Sequence, residues 1–146
     1  MSDLNKDTAR YWITRHAFFV WVGIVLNFLF IIPLFFYPRW MLNLFEIPLE
    51  HLIWARSSAG LLMIISVFYI PPTIDFSRYR ACAWLAIFPS RTFGATFFTL
   101  AVLLFNQPPG FLSIALVDAV IGAITLYCLI KINAREREQT LIGDGQ

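Results

Sequence analysis

Three ionisable residues interrupt otherwise apolar stretches of this chain: Arg56, Arg91 and Asp118. A charge at the centre of a membrane helix costs at least about 2.5 kcal/mol, so each is expected to face other protein and find a partner. Two arginines and one aspartate leave one positive charge over. A buried uncompensated charge is expensive, and this count points to a pocket for an anion or a polar head such as a carboxylate, a phosphate or a quinone carbonyl. The same trio can instead pin three helices in register through one bridging carboxylate. A third use is Asp118 as the proton carrier of a membrane enzyme.

Other residues fit the same level. Asn27 sits near the middle of the first apolar run, where an amide wants hydrogen bonds from a neighbouring helix or a bound group. Pro89 cannot donate a backbone hydrogen bond, so it should kink its helix and expose a carbonyl beside Arg91. Ser57, Ser58, Ser90 and Thr92 supply hydroxyls nearby. One turn beyond each charge come small residues: Ala59 and Gly60, Gly94 and Ala95, and Gly122. Positions three and four apart share a helix face, and small residues mark close approach in membranes. The charged face is therefore also the packing face, and Ala115, Ala119 and Ala123 extend it.

The elements that must position these residues follow from length and hydropathy. The chain has 146 residues, room for one domain, and is 59% hydrophobic, with a mean hydropathy of +0.70. About 20 apolar residues cross a bilayer as a helix. Four runs reach that length, at about 17–37, 52–70, 82–105 and 111–131, leaving cytoplasmic tails at 1–16 and 132–146. Tyr37-Pro38-Arg39, Pro71-Pro72 and Gln107-Pro108-Pro109-Gly110 break them. The expected fold is an all-α integral membrane four-helix bundle, with sequential helices as antiparallel neighbours. At about 1.5 Å per residue, Arg56 lies roughly 6 Å, Asp118 roughly 10 Å and Arg91 roughly 16 Å below the outer surface. All three are then expected to meet in the outer half of the bundle.

Orientation follows from the basic residues. Lys6, Arg10, Arg15, Arg78, Arg80, Lys131, Arg135 and Arg137 flank one end of the spans, and only Arg39 the other. By the positive-inside rule both termini are cytoplasmic, and Glu46, Glu50 and His51 lie outside. Asp3 and Asp7, with no small-residue cleavage site behind them, argue that the first run is a retained span and not a signal peptide. The stretch from Asp7 to His16 reads either as a short surface helix or as the start of helix 1. Trp12, Trp40, Trp54 and Trp84 fall near span ends, as interfacial indoles do. The 15 Phe residues read as lipid-facing and packing surface.

Several function classes lose ground. A net charge of +2, with the basic residues in short flanks, gives no electrostatic footprint for nucleic acid. Cys82 and Cys128 sit near the same membrane face without a CxxC spacing and read as small hydrophobes. His16 and His51 lie at opposite faces, which excludes a shared metal site and leaves single-histidine ligation of a pigment or haem. No paired carboxylates, nucleophile triad or HExxH spacing supports catalysis. No internal repeat suggests an inverted-repeat transporter.

The succession Ala55-Arg56 with Gly60 and Tyr69, then Asp75-Phe76-Ser77-Arg78-Tyr79-Arg80, then Arg91 with Gly94, then Asp118, resembles the small four-helix bacterial membrane proteins of the DoxX-like kind. Where many relatives read Asp-Pro before the Arg-Tyr pair, this chain has Asp75-Phe76. The resemblance implies the fold and a bacterial inner membrane location. Through a name-giving member associated with a quinol oxidase, it also implies accessory subunits of membrane redox complexes. The expectation is a noncatalytic membrane protein, an accessory or structural subunit that contacts lipid and other membrane proteins or itself. The alternatives are an oligomeric binding protein or carrier for an anion, lipid or quinone, and a membrane enzyme using Asp118. The candidate site is Asn27, Arg56, Arg91 and Asp118.

Overall fold

A computed structural model describes the backbone of residues 2–143 and the side chains of residues 8–138 and Thr140. The side chains of Asp3, Lys6 and Asp7, used above for topology, lie outside the described residues. The described residues form α-helices and their connections, and four of the helical stretches are long and apolar enough to cross a membrane: Thr8–Phe36, Leu52–Ile74, Arg80–Phe105 and Phe111–Glu138. The chain is a multi-pass membrane protein.

Helix α1 runs over Ser2–Phe36 without interruption, so the Asp7 to His16 stretch belongs to it and is not a separate surface helix. It ends where Tyr37, placed before a proline, leaves the α region at φ −125° and ψ 53°. Pro38 then opens the short α2, Pro38–Leu44, at a position where its missing N–H costs nothing. Helix α3, Leu52–Phe68, stops before Pro71-Pro72, which start the single turn α4, Pro71–Ile74. The third span consists of α5, Arg80–Leu85, a wide turn over Ala86–Arg91, and α6, Thr92–Phe105. Asn106 ends α6 in the left-handed conformation, φ 52°. Helix α7 covers Phe111–Gly143, so the expected tail from 132 is helical as well. Its last described turns, rich in Arg and Glu, hold an Arg135–Glu138 pair at 2.8 Å.

Helix α1 packs along α3 and α7, and α7 along α6, giving the lateral order α3, α1, α7, α6. Spans 2 and 3, consecutive in sequence, touch only towards the basic end, through Pro71–Ile74 against Arg80–Leu85 and through Tyr69 against Ala86 and Ser90. This corrects the expectation that every sequential pair would be neighbours. The reason is the break at Phe88, which holds extended values of φ −118° and ψ 112° ahead of Pro89. Below it Ala83 and Ile87 are buried with Leu129 and Ile132 of α7. Above it α6 also follows α7, so α3 packs mainly on α1 and meets the third span through Ile65 and Tyr69 against Ala86 and Ser90.

The two ends can be told apart. Loops 37–51 and 106–110 meet at one, where a side chain on Gly110 would strike the Phe45 carbonyl. At the other, Arg80 pairs with Glu136, which brings the third span's start to the extension of α7. Arg15 on Tyr11, Arg80 on Phe76 and Lys131 on Tyr127 lay their cations over aromatic rings at this basic end, as snorkelling side chains do. Between the ends the outward faces are apolar: Leu29, Leu61, Phe93 and Leu103 are each more than 60% exposed, a surface that water would penalise and lipid tails accept.

Candidate functional site

Arg91 is the centre of the interior. Its side chain is only 6% exposed, and its Nη1 donates to Asp118 Oδ1 at 2.7 Å. The guanidinium carbon lies 5.3 Å from the centre of the Tyr69 ring, within range of a cation–π contact. Glycines on three helices make the space. A β-carbon on Gly23 of α1 would stand 2.6 Å from Arg91 Nη2, and one on Gly122 of α7 would stand 3.2 Å from Arg91 Cβ. One on Gly94 of α6 would land on Asp118 Oδ2. The pair thus occupies room that only glycine leaves, and it locks the third span to the fourth.

Arg56 is not part of this group, which corrects the expected three-residue cluster. It is exposed on α3, and its Nε donates to the Phe35 carbonyl at 3.3 Å. That carbonyl belongs to the last turn of α1, where carbonyls have no partner within the helix and the dipole favours a cation. Close to its end of the span, Arg56 finds a nearer acceptor than Asp118. The interior pair is therefore one Arg to one Asp and neutral, and the expected surplus positive charge is absent from it. The level is also lower than expected. Arg91 lies about half way along Arg80–Phe105 and rests on Tyr69, which is close to the basic end of Leu52–Ile74.

Asn27 does what a buried amide must. Its Nδ2 donates to Ser66 Oγ at 2.9 Å, and Ser66 donates onward to the Leu62 carbonyl at 2.7 Å. This ties α1 to α3 separately from the ion pair. Pro89 breaks the third span as expected, and at this break the Ile87 carbonyl accepts the Thr92 hydroxyl at 2.9 Å. Ser58 is spent on its own helix, donating to the Trp54 carbonyl at 2.9 Å.

Span 2 and the third span leave a groove of about 500 Å³ between them, open towards lipid. Ile65, Phe68, Leu85 and Phe93 make its apolar walls, together with Ala86 and Pro89. Its polar groups are Tyr69 and Ser90, whose hydroxyls are bonded to each other at 2.5 Å, and the thiol of Cys82. Tyr69 thus presents its ring to Arg91 and its hydroxyl to the groove. Sequence reasoning used Tyr69 only within the family motif and missed Gly23. The spacing of four between Gly23 and Asn27, one helical face, was the available signal for the latter.

The remaining candidates separate. His16 is 1% exposed inside α1, its ring edge-on to Phe76 at 5.5 Å, so no open face is left for a pigment or haem. His51 is exposed at the start of α3. Cys128 is buried, Cys82 is half-buried in the groove wall, and both are free thiols. Among the described residues no group of three His, Cys, Asp or Glu is placed to hold a metal. No protein-family model, no curated protein and no solved structure matches the chain.

Proposed function

We propose that this is a noncatalytic integral membrane protein that holds a lipid-like molecule in the groove between span 2 and the third span, with Arg91–Asp118 as the pin that keeps the groove's wall in place. The observation that carries this reading is the groove itself: about 500 Å³, walled by aliphatic and aromatic side chains, with two hydroxyls at its base. Ligand sites are of this size and mostly apolar, with a few polar groups that fix orientation. A charged occupant is disfavoured because the nearest guanidinium is already neutralised by Asp118. Photolabelling of membranes with a diazirine-bearing alkane tests it. Adducts should concentrate on Phe68, Leu85 and Phe93 and fall sharply in Leu85→Trp, whereas even labelling of all outward faces would remove the reading.

A second reading, an accessory subunit of a larger membrane complex, draws on the same open side. With α3 packed mainly on α1, a partner's helix has the open groove between spans 2 and 3 to enter. The DoxX-like resemblance and a bacterial inner membrane location belong to this reading, with both termini cytoplasmic on the strength of the basic end. Copurification of a stoichiometric membrane partner in mild detergent supports it, and a lone, lipid-loaded particle supports the first.

A further inference from the structure

The base of the groove specifies more than an apolar occupant. A serine inside a membrane helix ordinarily spends its hydroxyl hydrogen on the carbonyl one turn back, as Ser58 and Ser66 do here. Ser90 lies in the wide turn after the Phe88 break and bonds to Tyr69 instead. Each of these hydroxyls brings one hydrogen and can also accept. Their mutual bond uses one hydrogen, whichever of the two donates it. One O–H donor is left over on the pair, at the base of a groove whose other walls are hydrocarbon apart from the weakly donating Cys82 thiol. In a bilayer a donor without an acceptor is costly.

We infer that the groove selects an apolar chain bearing a neutral carbonyl, and that the spare hydrogen of the Tyr69–Ser90 pair is the donor that holds it. This rests on the groove reading above and adds its chemical selectivity. The carbonyl is neutral because Asp118 has already balanced Arg91, so no net charge stands behind Tyr69 to recruit an anion. A free lipophile and a phospholipid ester both carry such a carbonyl, and bilayers without ester groups remove the second source.

The donor count makes an unusual demand on mutants. In Tyr69→Phe the serine still has a hydrogen to give, and in Ser90→Ala the tyrosine does. Only Tyr69→Phe/Ser90→Ala removes the donor, and the retained ring still lies under Arg91. The test uses the full chain in bilayers of ether-linked phosphatidylcholine, which carry no carbonyl. The probes are a long-chain methyl ketone and the alkane of equal length, read by the infrared C=O stretch and by competition with the photolabel. The expected result is a lowered C=O frequency with wild type and both single variants, lost in the double variant. The double variant also binds the ketone about two- to ten-fold more weakly, with alkane binding unchanged. A ketone that binds wild type and double variant alike, with the same frequency, overturns the carbonyl inference. If Leu85→Trp excludes both probes in that case, the groove reading survives alone. If Leu85→Trp excludes neither, the groove reading falls and this inference with it.

Discussion

Arg91 Nη1 meets Asp118 Oδ1 at 2.7 Å across the junction of the third and fourth spans, and one bond joins the two helices as a neutral pair inside the bilayer. Around it stand Gly23, Gly94 and Gly122, so the pair and the helix spacing depend on each other. Losing one member leaves the other charge stranded. Arg91→Leu or Asp118→Leu is expected to cost about 3–5 kcal/mol, while Arg91→Met/Asp118→Leu costs much less because no charge remains buried. Unfolding in a mixed-detergent titration measures all three, and additive losses in the double variant would contradict the pairing.

The glycines rank themselves by what a methyl group would meet. Gly94→Ala drives a carbon into Asp118, and Gly23→Ala drives one to 2.6 Å from Arg91 Nη2. Each is expected to lose about 1–3 kcal/mol through overpacking. Gly60 has nothing within 4 Å of that position. Gly60→Ala should be neutral or gain about 0.5–1 kcal/mol from reduced backbone freedom in the unfolded chain. Thermal midpoints in detergent give the order, and a loss at Gly60 equal to that at Gly94 would refute it.

Arg56 tests whether the interior holds one guanidinium or two. Bonded to the Phe35 carbonyl, it contributes a helix-end interaction of about 0.3–1 kcal/mol. Arg56→Gln is expected to change stability by no more than that and to leave an Arg91–Asp118 double-mutant cycle unaltered. A penalty matching Arg91→Leu would place Arg56 in the cluster after all.

At the basic end, Asp75 accepts from the Arg78 backbone N–H at 3.0 Å and from the Ser77 hydroxyl at 2.9 Å. These bonds, the Arg78 N–H foremost, hold its carboxyl below the usual range. A depressed folded value means the turn has its full stabilisation above the ordinary carboxylate value of about 4 and loses it as pH falls through the lower folded value. The Arg78 amide resonance should move upfield only on acidification below the ordinary range. A midpoint at or above about 4 would show that the bonds are not formed.

The four spans were legible because a bilayer demands length and hydropathy that few other structures need, and Pro-rich breaks separate them. The Arg91–Asp118 pair was legible for the same reason, since a charge in lipid has few places to go. Arg56 was misplaced because depth along a helix does not say which acceptor is nearer, and the free carbonyl at the end of α1 is invisible to a charge count. Asn27 announced that it needed a partner, but only packing shows that the partner is Ser66. The groove could not be read, because it arises where spans 2 and 3 part beyond their contact at Tyr69 and Ser90, which follows from how far Phe88 and Pro89 turn the chain. The helical continuation past 131 was missed, and that over Asp7 to His16 was left as one of two readings, because hydropathy marks where lipid ends and not where a helix does.

Native mass spectrometry of protein released from mild detergent tests the central claim most directly. Wild type should retain a small lipophile at one per chain, and Leu85→Trp, with the groove wall filled, should fly without it at unchanged fold stability. Wild type free of any such adduct, or an adduct that persists in Leu85→Trp, would contradict the account.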